Sequence, residues 1–244
     1  ATTATGIDVT GTVVADGLTV DGSGGQVTTD NNGFIISKQL LDVETAGGRF
    51  IGKSNRGELG HIAIEQTATS ADGGYIRFAT SPAGSTTPAD RMMIDSTGAV
   101  TMPYQPAFYA TPSVAQTNIT ANDSAITVAM GTEIFDVGSN FASDAFTAPV
   151  TGKYQLNLSL YLTGVDTAAS YIAVGIITSN RSYINIVAPK YASDPAYLTQ
   201  NISTLADMDA NDTAYVFYQQ SGGAAQTDVQ DDTRGSFFQG YLVA

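Results

Sequence analysis

Apolar residues in this chain recur at every second position, in short runs closed by glycine-rich turns. That period decides what the chain can fold into. His61-Ile62-Ala63-Ile64-Glu65 and Tyr75-Ile76-Arg77-Phe78 alternate in this way, and so does the closing run Gly235-Ser236-Phe237-Phe238-Gln239-Gly240-Tyr241-Leu242-Val243. A period of two puts one set of side chains on each face of a strand. No stretch longer than about two turns keeps a helical period. Charged residues make up only 14% against 43% hydrophobic, which leaves little Lys, Glu and Arg for the solvent face of amphipathic helices. The chain is expected to be all-β.

Three segments are expected in its 244 residues. Residues 1–24 hold a short repeat, Gly6-Ile7-Asp8-Val9-Thr10-Gly11 returning as Gly17-Leu18-Thr19-Val20-Asp21-Gly22. Strands this short bury no face alone and are stable when stacked or wound with other chains. The repeat therefore reads as fibre shaft, with a pair of hairpin strands as the alternative. Residues 25–103 continue as β-rich shaft, where Asn32-Gly33 precedes Phe34-Ile35-Ile36 and Gly47-Gly48 precedes Arg49-Phe50-Ile51. Met102-Pro103-Tyr104-Gln105-Pro106 marks a boundary, since paired prolines favour an extended linker. Residues 104–244 form the third segment.

In that third segment, Phe146-Thr-Ala-Pro149-Val-Thr-Gly152-Lys-Tyr154-Gln-Leu156 is a turn feeding a strand, and Asp212-Thr-Ala-Tyr215-Val216-Phe217-Tyr218 opens another. With the terminal Ser236-x-Phe238-x-Gly240-Tyr241-Leu242-Val243, these phrases resemble the globular head of complement component one-q, a jelly roll shared with the tumour necrosis factors. The resemblance implies a jelly-roll β-sandwich, a homotrimer that binds through its far end, and no enzyme. One departure is Asn211-Asp212 where the family has Gly-Asp. Asn tolerates the left-handed backbone that Gly supplies, so the turn is expected to survive.

A second resemblance lies upstream. Arg91-Met92-x-Ile94-Asp95-x-x-Gly98-x-Val100 is similar to a phrase of bacteriophage tail-fibre and tail-spike chains, often followed there by a self-cleaving chaperone. Here a jelly roll follows, and no autoproteolysis is implied. The two resemblances together imply an extracellular virion protein, a trimeric fibre that contacts other virion structural proteins and recognises a host glycan or outer-membrane protein. The rivals are a capsid-decoration or head-fibre protein and a bacterial surface adhesin with the same head.

Connection lengths orient the head. Successive connections of an antiparallel jelly roll alternate between its two ends. The connections at residues 164–170, 188–196 and 220–234 are expected to share the end away from the shaft. Loops on a rigid scaffold are where binding sites concentrate, so Asp166, Lys190, Tyr191, Asp194, Asp228 and Asp231 are the candidate receptor contacts. The run Asp228-Val-Gln-Asp231-Asp232 supplies the hard oxygen donors that Ca2+ prefers. Asp228, Asp231 and Asp232 are thus the candidate metal ligands, with a solvated acidic loop as the alternative. No organic cofactor is expected.

Other chemistry has little to stand on. His61 is the single histidine, sits in an alternating strand and is expected to be structural. With no cysteine there is no thiol nucleophile or disulfide. A formal charge of −13 disfavours nucleic acid, whose phosphates attract Lys and Arg. No apolar run reaches membrane-spanning length, so no membrane insertion is expected.

Overall fold

The computed structural model of the chain describes residues 47–68, 71–119, 123–231 and 235–244, and every regular element among them is a β-strand. The N-terminal repeat, the Phe34–Ile36 run and Asp232 lie outside the described residues. The strands form two bodies of different design.

The first is a single antiparallel meander. β1 (Gly47–Ser54), β2 (Gly57–Ala68), β3 (Ala71–Thr80), β4 (Ala89–Ile94) and β5 (Val100–Thr101) pair in chain order. The Arg91–Val100 phrase is its last hairpin. Asp95 Oδ1 accepts the Thr97 hydroxyl at 2.6 Å, the Thr97 amide at 2.8 Å and the Ala99 amide at 3.0 Å. Those bonds, the Thr97 hydroxyl foremost, hold the Asp95 carboxyl below its ordinary pKa, because they favour the charged form. Gly98, at φ +88°, takes the backbone position that a side chain would strain. His61 lies in β2 with Nδ1 2.5 Å from Glu58 Oε1, a pairing of close neighbours in the sequence.

The second body begins at β6 (Ala107–Thr111). It continues through β7 (Ile126–Thr127), β8 (Thr132–Val137), β9 (Phe141–Ala142), β10 (Ala145–Thr147), β11 (Gly152–Thr163), β12 (Tyr171–Thr178), β13 (Ser182–Val187), β14 (Tyr197–Met208), β15 (Thr213–Ser221), β16 (Asp228–Val229) and β17 (Phe237–Leu242). One sheet runs β14-β11-β17-β6-β8 with β16 on β11; the other runs β13-β12-β15-β10-β9 with β7 on β15. Two antiparallel sheets in this order make a jelly-roll sandwich.

The alternation read from the sequence sets its core. Tyr154, Leu156, Leu158, Leu160 and Leu162 of β11 all point inward and are buried, each contributing roughly 1.5–3 kcal/mol of hydrophobic stabilisation. Phe108 stacks on Phe146 at 4.6 Å and on Phe141 at 5.2 Å, with the Phe238 ring edge-on at 4.9 Å. The motif residues have specific tasks here. Tyr154 donates its hydroxyl to the Val150 carbonyl at 2.7 Å, pinning the Pro149-Val150 turn against the strand it feeds. A Cβ on Gly240 would lie 2.6 Å from Leu156 Cδ2 and 2.9 Å from Phe108 Cε1, so only Gly lets that ring seat. Ser236 accepts the Tyr161 amide at 3.1 Å.

Asn211 sits at φ +75°, the conformation expected of the residue that replaces Gly. Its amide donates to Ala148 O at 2.8 Å, and the Ala148 amide donates to Asp212 O at 2.8 Å. β14 runs on to Met208, because Ala206 and Met208 are buried and prolong the alternation through Asp207. Three short strands, β7, β9 and β16, carry too few residues for a period to show.

Candidate functional site

β11 spans twelve residues, roughly 40 Å at about 3.3 Å per residue, and defines the two ends of the sandwich. At its Gly152 end lie the C-terminal strand's exit and the start of the body: Leu242 N donates to Pro106 O at 3.0 Å, Lys153 N to Ala244 O at 2.7 Å, and Gln105 Nε2 to Leu242 O at 3.1 Å. At its Thr163 end three connections meet, those of residues 164–170, 188–196 and 222–231.

They meet on carboxylates. Asp194 Oδ1 accepts the Thr167 amide at 2.9 Å and the Thr167 hydroxyl at 2.6 Å, while Oδ2 accepts Gln226 Nε2 at 2.8 Å. One side chain thus ties all three loops. The Thr167 hydroxyl and amide, then Gln226, hold its pKa below the ordinary 3.8. Asp166 is only 5% exposed. It accepts the Ala168 amide at 2.7 Å and, from the third loop, the amide of Ala224. Lys190 Nζ donates to Ala169 O at 3.0 Å, joining the second loop to the first. Asp228 accepts the Asn118 amide at 2.7 Å and pairs with Thr163 in the β11–β16 ladder.

The six candidate receptor contacts therefore divide. Asp166 is buried rather than presented, which corrects its reading as a surface contact. Asp194, exposed as well, spends both oxygens and Asp228 one on neighbouring loops. Lys190, Tyr191 and Asp231 stay exposed, Tyr191 at 46%. Tyr197, at 69% exposed, is outside the core and packs its ring on Tyr161 at 5.8 Å.

Of the acidic run, Asp228 and Asp231 lie among the described residues. Asp228 turns one oxygen to the Asn118 amide, Asp231 is exposed, and among the described residues no three carboxylate or imidazole groups converge. Ca2+ takes about 6–8 oxygen ligands at about 2.3–2.6 Å, more than Asp228 and Asp231 supply by themselves.

A further segment reaches this end that connection lengths did not reveal. Gln116 and Val229 exchange both backbone bonds, at 2.8 and 2.9 Å, and Ile119 N donates to Thr227 O at 2.9 Å. The Gln116 amide side chain also bonds Ala129 N and O, at 2.9 and 3.1 Å, acting as a substitute strand neighbour. The loop end is thus hydrogen-bonded into one piece.

Fold and site together define a jelly-roll module with a pre-formed loop end opposite the point where the chain joins it. Solved structures similar to the chain include the globular domain of zebrafish complement 1qA protein (15% identity, 57% of this chain and 98% of that chain, TM-score 0.40) and murine APRIL (14% identity, 57% and 99%, TM-score 0.42). No protein-family model matches the sequence, and no curated protein matches it.

Proposed function

We propose that the chain is a homotrimeric virion fibre protein whose jelly-roll loop end attaches the particle to a glycan or an outer-membrane protein of the host surface. Its role on this reading is binding, with no catalytic residue. The loop end carries the proposal. Four segments are locked together by internal hydrogen bonds, one of them from Lys190, so the backbone that presents Lys190, Tyr191 and Asp231 has little entropy left to lose on binding. A Tyr on such a platform offers flat apolar area and a hydroxyl, suited to sugar or protein surfaces.

The trimer rests on the outer face of the β14-β11-β17-β6-β8 sheet. Tyr109 stacks on Phe237 at 5.5 Å and leans on Phe135 at 6.1 Å, and Phe135, Tyr241 and Leu205 are each at least half exposed. An exposed aromatic cluster of this kind, Tyr109 with Phe135 and Phe237, marks an association surface. The virion assignment rests on the Arg91–Val100 phrase.

The test is whole-cell adsorption of the purified chain across a panel of bacterial strains. Strain-selective binding is expected, and it is expected to be lost in a Lys190→Ala, Tyr191→Ala, Asp231→Ala triple variant that sediments and melts like the parent. A triple variant that adsorbs like the parent overturns the loop end as receptor site and favours capsid decoration.

A further inference from the structure

The two faces of the β1–β5 meander differ sharply in chemistry. Register places Ile64 opposite Ile76, Ile76 opposite Ile94, and Ile94 opposite Val100, a row of four aliphatic side chains across four strands. A second row, Ile62, Phe78 and Met92, lies two residues along. Neither row contains a polar side chain, and Ile62, Ile64 and Val100 are 44%, 58% and 53% exposed. The reverse face holds the charge, and that charge is paired. Arg77 bonds Glu65 at 2.9 Å and reaches Asp90 at 3.5 Å, and Tyr75 donates to Glu65 at 2.9 Å. Arg77, Glu65 and Ala63 cover one another there, leaving Ala63 and Glu65 buried. The sheet is inside out for a body standing alone, since its apolar side is the exposed one.

We infer that this apolar face is a self-association surface, covered by the same face of sibling copies of the chain. Three observations select a sibling over another partner. The two rows hold no charged side chain, Arg91 (its Nε on Thr80 Oγ1 at 2.9 Å) and Asp95 standing only at their borders, so copies that each carry a net −13 meet there without burying like charges among the aliphatic side chains, which is costly. It is also small. Rows about 7 Å apart over strands about 4.8 Å apart give a patch well under the roughly 800 Å² per partner of a stable free-standing interface. A patch this size closes when another contact delivers its partner at high effective concentration. Residues 102–106 alone separate β5 from β6, and β6 supplies Tyr109 to the aromatic face on which the head's own assembly is proposed. The inference rests on that assembly and adds a second contact under it.

The chain has no cysteine, so a single introduced one reports only contacts between copies. Ile64→Cys, Ile76→Cys and Phe78→Cys are each made in the full chain, with Ile51→Cys as control. Ile51 pairs with His61 and so lies on the reverse face. Under mild oxidation, at least one of the three is expected to convert most of the chain to a species of twice the monomer mass on a non-reducing gel, while Ile51→Cys stays monomeric there. Sedimentation is run alongside. A trimer in which none of the three crosslinks overturns this inference and leaves the proposed trimer standing. A monomer overturns the trimer itself. Cysteines that neither crosslink nor react with maleimide until residues 1–46 are cleaved would mean that those residues cover the face, and that outcome also overturns it.

Discussion

Asp194 holds Thr167 at two points, its Oδ1 accepting both the amide and the hydroxyl across a gap of 27 residues in sequence. The other oxygen holds Gln226. The tie that Asp194 makes between these loops is strongest while its carboxyl is ionised. Its folded pKa is depressed, so the anchoring is fully present above the ordinary aspartate value of 3.8 and is lost as pH falls through the lower folded value. Hydrogen exchange, corrected for intrinsic rate, is expected to show Thr167 protected at pH 5 and deprotected only as pH falls below the ordinary aspartate value of 3.8. Asp194→Ala is expected to show the deprotected pattern at pH 7, with the core strands unchanged.

Gly240→Ala is expected to destabilise the head by about 1–3 kcal/mol, the usual cost of overpacking a filled core. The added Cβ meets Leu156 Cδ2 at 2.6 Å and the Gln155 carbonyl at 2.9 Å, and the carbonyl, being backbone in a central strand, cannot move aside. Denaturant titration reads the change.

Tyr154→Phe keeps the buried ring but removes the donor to Val150 O. Leaving that carbonyl short of its partner is expected to cost about 1–2 kcal/mol. Thermal unfolding checks it, with Tyr161→Phe as a control that keeps its ring at the less buried outer face.

At Asn211, φ +75° separates two substitutions. Asn211→Gly is expected to leave stability within about 0.5 kcal/mol, and Asn211→Val to cost about 1–2 kcal/mol, because a β-branched residue is strained in the left-handed region. Equal melting temperatures for the two variants would contradict the turn's assigned geometry.

The all-β class was legible because apolar residues alternate along most strands, and the sandwich because three phrases of the chain resemble a jelly-roll head. Tyr154, Leu156, Phe238 and Gly240 were placed by the phrases that resemble the jelly-roll head, and Asn211 by the conformation it shares with the Gly of that pattern. The loop end was legible only in outline. Asp166 and Asp231 look alike in sequence, two carboxylates in long loops, yet one is buried and the other exposed. What buries Asp166 is a pair of backbone amides, Ala168 and Ala224, and an amide belongs to every residue, so no side-chain pattern announces it. Gln116 was missed for a related reason. Its partners Val229 and Ala129 are set by the path of the chain, one of them more than a hundred residues away.

The exit of the last strand beside Pro106 has a practical side. Ala244 O accepts the Lys153 amide and Leu242 N reaches Pro106 O, so both chain connections of the jelly roll emerge at one end, with the loops at the other. Anything appended after Ala244, an affinity tag, a fluorophore or an antigen, leaves from the foot of the head and keeps clear of Tyr191. A chain tethered by its carboxy terminus to a surface would therefore face outward, loops first, in the same sense as one held by its shaft.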